Sequence, residues 1–175
     1  MSTTQSPPSL SAAEAATFKR AMSLFPSGVT VVTTVDAGGD RRGFTASAFC
    51  SVSLEPPIVL ACLDTSADCY PAFSSASHWV VNILADDQAE VARRFATKGI
   101  DKFAGNDFAT GYRNLPVLTG AVAVLGCRRY AAYPGGDHVI LAGGVETVSV
   151  ADRMPLTYAA RTFPRLLFDT STPTR

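Results

Sequence analysis

Two long apolar runs in the second half of the chain, Ala121–Tyr133 and His138–Val150, constrain the fold more than any other feature. Only Pro134-Gly135-Gly136-Asp137 separates them. A turn that short leaves no room for a crossover helix, so the two must be antiparallel neighbours. A lone hairpin is not stable in water, so further strands have to complete the sheet. Candidates are Val29–Asp36 (VTVVTTVD), Phe44–Val52, Ile58–Leu63 and Trp79–Leu84, all rich in β-branched or aromatic residues. Gly38-Gly39-Asp40 joins the first two as a hairpin, and Glu55-Pro56-Pro57 turns between the next two.

The helical signals are fewer. Ser11-Ala-Ala-Glu14 is a capping-box pattern that opens a helix running to about Leu24 and ended by Pro26-Ser27-Gly28. A short helix is expected over Pro71–Ser75. Another should span Gln88–Thr97, capped by Asp86 or Asp87, supported by Glu90 pairing with Arg93 or Arg94, and stopped by Gly99. Residues 100–116 read as loop, and Pro155–Thr162 as a final short helix. About six strands with tight turns and few helices predict a mainly β, antiparallel barrel with peripheral helices. No repeat or linker divides the chain, so residues 11–168 should form a single domain, with flexible tails at 1–10 and 169–175.

Composition narrows the classes. Apolar residues make up 47% of the 175 positions and charged residues 17%, the balance of a core-forming domain. Fifteen basic residues against fifteen acidic ones argue against a non-specific nucleic-acid surface. No apolar run is long enough to span a membrane. The opening MSTTQSPPSL has neither a basic start nor an apolar signal segment, so a cytoplasmic protein is expected. Cys50, Cys62, Cys69 and Cys127 have no metal-like spacing, and with two histidines in the chain no metal and no disulfide are expected.

The chemistry is concentrated in Gly43–Leu63, GFTASAFCSVSLEPPIVLACL. Thr45, Ser47, Ser51 and Ser53 stand where bulkier residues would pack better. Either another strand comes close there, or a flat ligand lies against exposed backbone amides. A hydroxyl-rich edge strand is the plain alternative. No glycine-rich phosphate loop precedes a helix; Gly135-Gly136 read as turn glycines and Gly143-Gly144 as bulge glycines. Ser47 lacks the flanking glycines of a nucleophile elbow. His138 follows a turn beside Asp137, and its position alone fits a solvated histidine. Lys102 and Arg93-Arg94 read equally as solvated charges.

In order and spacing, however, five segments resemble the flavin reductase family with the split-barrel flavin-binding fold, from about Phe18 to Leu166. They are Phe25-Pro26-Ser27-Gly28-Val29, GFTASAFCSVSLEPP, Asp101-Lys102-Phe103, Gly136-Asp137-His138 and Pro155-Leu156-Thr157-Tyr158-Ala159-Ala160-Arg161. The resemblance implies a split β-barrel of Greek-key type and an NADH-preferring NAD(P)H:flavin oxidoreductase. Such an enzyme reduces FMN or FAD and supplies diffusible reduced flavin to a partner monooxygenase. It further implies a homodimer with the flavin near the subunit contact. Thr45, Ala46 and Ser47 would present backbone to the flavin ring, with Ser51, Val52, Cys62, Leu63 and Asp64 around it. Lys102 and Phe103 match a pair near the flavin phosphate. His138 would hold or polarise the nicotinamide, with Tyr158 and Arg161 beside that nucleotide.

Two positions depart from the family pattern. Ala48 replaces a common serine, which removes a hydroxyl but keeps the amide. Asp68-Cys69 stand where relatives often carry Asn or Ser, and an ionised Asp68 would repel a phosphate. A non-catalytic flavin-binding protein on the same barrel is the second reading. An oxidase of the pyridoxine-phosphate type is a third, for which the chain has few basic residues.

Overall fold

The structure, a computed structural model, describes residues 9–167. In chain order it contains α1 (Ala12–Ser23), β1 (Ser27–Gly28), β2 (Thr30–Val35), β3 (Arg41–Ala46), β4 (Phe49–Leu54) and β5 (Pro57–Asp64). Then come α2 (Tyr70–Ser75), β6 (His78–Ile83), α3 (Ala89–Ala96), β7 (Phe108–Thr110), a 3-10 turn (Tyr112–Asn114) and β8 (Pro116–Leu118). β9 (Ala123–Gly135), β10 (His138–Val150) and β11 (Thr157–Tyr158) complete it. The two expected tails fall largely outside the described residues.

Seven strands form one antiparallel sheet in the order β3-β2-β6-β9-β10-β5-β4. The predicted hairpin is its centre: His138 opposes Gly135, and Val150 opposes Ala123. The register shifts between Ala142 and Gly143, where a bulge was expected. A Cβ on Gly143 would lie 3.0 Å from the Trp79 ring and from Cys127 Cβ, so the glycine admits a fully buried Trp79. β3 and β4, consecutive in sequence, lie at opposite ends of the order and do not pair with each other among the described residues. The sheet curls until β3 approaches β5, and Cys62 N donates to Ala48 O at 3.0 Å. The barrel is split at this seam.

The seam explains a correction. Phe44–Val52 reads as one strand, but the structure breaks it at Ser47-Ala48. One straight strand cannot serve both ends of a curled sheet. The β-branched run in β2 has no alternation because both its faces are covered. Val32 faces an interior cluster with Phe44, Leu63, Phe73, Trp79 and Leu141. Val31 faces a second cluster with Ala92 and Phe95 of α3, Phe103, Leu118 and Leu156. Full burial of Trp79, Phe73 or Phe95 stabilises the fold by about 2–3 kcal/mol each.

Three helix and loop expectations change. Asp86 and Asp87 do not cap α3, whose N-cap is Gln88; they pair with Arg165 and Arg153, and the Gln88 side chain accepts from Ala85 N instead. Glu90 does pair with Arg93, whereas Arg94 turns to Asp107. Residues 100–116 are not all loop, since they include β7 and the 3-10 turn. Pro155–Thr162 is no helix: Leu156 exchanges backbone bonds with Val29 and Leu84, and β11 pairs with β1. Ala160 and Arg161 then take positive φ values of 49° and 62°.

All four cysteines are free thiols. Burial pushes Cys127 from the ordinary 9.0 up to about 12. Its folded pKa lies above its unfolded one, so its contribution is complete below pH 9 and lost as pH rises through about 12. Cys127→Ala should therefore flatten the alkaline loss of stability between pH 9 and 12, a range open to denaturant melts. An unchanged alkaline slope would refute that origin.

Candidate functional site

The seam is where the sequence placed the ligand. Among the described residues β3 pairs only with β2, so alternate backbone groups along its outer edge point away from any strand. Beyond Ala46, which is buried in the barrel, Ser47 and Ala48 are exposed. Across the seam, Ser51 and Val52 on β4 are exposed as well. The small residues thus bare the backbone rather than fill the core.

Thr45 turns its hydroxyl the other way, donating to Ala92 O of α3 at 2.6 Å. Two residues back, Gly43 lines a cavity of about 430 Å³ between the β2–β3 turn, the start of α2 and the 99–103 segment. Arg41, Arg42 and Lys102 give this cavity its cations; Asp40, Asp68 and Asp101 give it its carboxylates. Arg42 is already paired with Asp36 at 2.8 Å and Asp40 at 3.1 Å. Arg41 donates to Phe103 O at 3.3 Å and lies over the Phe103 ring. Lys102 is half-buried and donates to Phe95 O at 2.9 Å and Gly43 O at 3.2 Å. Burial holds its ammonium below the usual lysine value. The Phe103 ring packs edge-on against Phe95, so this residue serves the core as well as the cavity wall.

The end of β5 brings Cys62, Leu63 and Asp64 beside the start of β10, where His138 opposes Asp64. Ser66 N donates to Asp64 Oδ1 at 2.7 Å, and that bond holds the carboxyl below its usual value. His138 Nδ1 lies 2.8 Å from Asp137 Oδ1. The Asp64–Cys69 loop connects this corner with the cavity, because Lys98 Nζ donates to Ser66 and Gly99 N donates to Asp68 Oδ2 at 3.4 Å. Asp68 therefore sits on the cavity wall itself.

The structure brings together the β3 edge, Lys102, Phe103 and the Cys62–Asp64 end with His138 nearby. Tyr158 lies in β11 and Arg161 just after it. Tyr158 opposes Ser27 in the small sheet and packs on Phe163, and no hydrogen bond or salt bridge joins either residue to His138 among the described residues. Sequence reasoning missed Arg41, Arg42 and the 99–101 wall. Two adjacent arginines immediately before the hydroxyl-rich stretch were the available signal.

An unpaired main-chain edge offers donors to a flat heterocycle bearing acceptors, and the adjoining pocket, lined by three carboxylates, offers Arg41 and Lys102 to an anionic tail, so the residues present fit a flavin. Comparison with known proteins decides the family: the Flavin reductase like domain matches residues 22–167. The chain belongs to the flavin reductase family. It is 45% identical over 156 residues to a protein of Streptomyces coelicolor named actinorhodin polyketide dimerase, covering 89% of this chain and 88% of that one. It is 40% identical to an NADH:riboflavin 5'-phosphate oxidoreductase of Streptomyces pristinaespiralis, covering 90% and 88%. A solved NADH:FAD oxidoreductase of Streptomyces globisporus, in complex with NAD and FAD fragments, superposes with a TM-score of 0.86 at 33% identity, covering 94% of this chain and all of that one. Two other relatives are named as the reductase subunit or component of flavin-dependent monooxygenases. Among the described residues, no helix of this flavin reductase is long and apolar enough to cross a membrane.

Proposed function

We propose that the protein is an NADH:flavin oxidoreductase that reduces FMN or FAD and releases reduced flavin to a partner monooxygenase. The open β3 edge beside the cavity that Arg41 and Lys102 line is the observation that carries this reading, and the activities named for the relatives agree with it. When bound, the cofactors supply hydride transfer from nicotinamide C4 to flavin N5. The chain's part is placement. The backbone of Thr45–Ser47 would meet the ring, with Ser51, Val52, Cys62, Leu63 and Asp64 around it. Arg41, on the same cavity wall, would offset the charge of the tail. His138, its Nδ1 engaged by Asp137, would present Nε2 toward the nicotinamide, and Tyr158 and Arg161 would bind the same nucleotide.

Anaerobic visible spectra with added FMN or FAD test this: NADH should bleach the flavin, with catalytic turnover in air. A wild-type protein that accelerates reduction of neither flavin would overturn the function. Asp68 on the cavity wall favours a second reading, a flavin-binding protein without catalysis, because its carboxylate opposes a phosphate. That reading expects a yellow complex which NADH does not bleach.

We also propose a homodimer. Helix α1 has no buried residue and leaves Phe18 and Met22 more than half exposed, although a 12-residue helix alone is marginal in water. A second copy covering this face accounts for it. Sedimentation should give a dimer, and an active monomer at assay concentration would exclude it. Within this reading residues 11–168 act as one domain, and the free thiols suit a cytoplasmic, reducing setting.

A further inference from the structure

Three hydrogen bonds tie α3 to the outer face of β3, and all three come from residues that the family resemblance places at the flavin. Thr45 Oγ1 donates to Ala92 O at 2.6 Å. Lys102 Nζ donates to Phe95 O at 2.9 Å and to Gly43 O at 3.2 Å. Ala92 and Phe95 are one turn apart on the buried side of α3, and Gly43 and Thr45 are alternate residues on one face of β3. Phe95 O belongs to the last turn of the helix, whose carbonyls lack helical partners. A cation is favoured at that end.

Among the described residues β3 has a strand on one side only. Beyond its end, Ala48 O accepts from Cys62 N across the seam at 3.0 Å; ahead of that bond the position of β3 depends on β2 and on the helix laid across its face. We propose that Thr45 and Lys102 are positioning residues: they clamp α3 onto β3 and thereby fix the main chain of Ala46 and Ser47 at the seam. The Thr45 hydroxyl spends its one donor on Ala92 O, and its side chain does not line the cavity. Lys102 uses two of its three N–H donors on the clamp. The inference rests on the flavin-reductase reading for its kinetic consequence, whereas the clamp itself can be tested without flavin.

Thr45→Val keeps the shape and removes the donor, and Thr45→Ser restores it. By hydrogen exchange of the flavin-free protein, Thr45→Val should speed exchange of the β3 amides bonded to β2 beside the seam about tenfold while the β6 and β9 amides stay unchanged, and Thr45→Ser should return it to wild type. In kinetics, Thr45→Val should raise the flavin KM about fivefold to tenfold, with the NADH KM moving less than twofold. Lys102→Met should weaken riboflavin, which has no phosphate, as much as it weakens FMN. Unchanged seam exchange in Thr45→Val would overturn the clamp. So would a Lys102→Met protein that loses FMN affinity alone, since that marks Lys102 as a phosphate contact. A wild type that reduces no flavin, with the exchange result intact, would instead overturn the function and leave the clamp standing.

Discussion

Gly43→Ala is expected to cost about 3 kcal/mol of stability, the largest loss from any single methyl group at the site. The added Cβ would stand 2.7 Å from Phe95 Cε1 and 2.9 Å from Val32 O. Neither neighbour can retreat. Val32 O belongs to the backbone of β2, and the Phe95 ring is held by Phe103 and Phe108 with centroids 5.0 and 5.1 Å away. The strain must therefore move α3 away from β3, which is the contact the seam relies on. Denaturant unfolding of Gly43→Ala beside wild type measures the loss. A difference below about 0.5 kcal/mol would show that the helix can shift freely, contrary to the close packing described.

His138→Ala should lower kcat/KM for NADH by about 10- to 100-fold while the flavin KM changes less than twofold. The expectation follows from where the ring is held. His138 opens β10 directly across from Asp64, at the end of the strand that would flank the flavin. Asp137 accepts from Nδ1, which leaves Nε2 as the face turned to a ligand. Steady-state NADH oxidation with saturating FMN or FAD gives the comparison. Equal kcat/KM in variant and wild type would remove His138 from the mechanism.

Local turn chemistry made much of this architecture readable. Pro134–Asp137, Gly38–Asp40 and Glu55–Pro57 each mark a reversal, and the strands between them follow. Where the reading failed, a distant contact decided. Pro155–Thr162 has helical composition, but the partners of Leu156 are Val29 and Leu84, far away in sequence. The Phe44–Val52 run is broken by sheet curvature, which no local pattern encodes. At the site, small residues advertised the exposed backbone of β3. Thr45 and Lys102 were harder: a hydroxyl and an ammonium look the same in sequence whether they serve a ligand or a helix carbonyl. Arg41 and Arg42 went unread because one is bound to its own hairpin and the other stacks on Phe103.

A reductase that gives up its flavin leaves the seam bare for part of every cycle. Bare strand edges attract other strand edges, and apolar ones lead to aggregation. Here Arg41, Arg42 and Ser47 stand at one open edge, and Ser51 and Ser53 alternate with exposed Val52 and Leu54 at the other. Valine at those serines would make better strands and a stickier protein. The low bulk and high polarity of the stretch therefore meet two demands together. They admit a flat cofactor, and they keep the molecule solitary at the seam in the interval after that cofactor has gone.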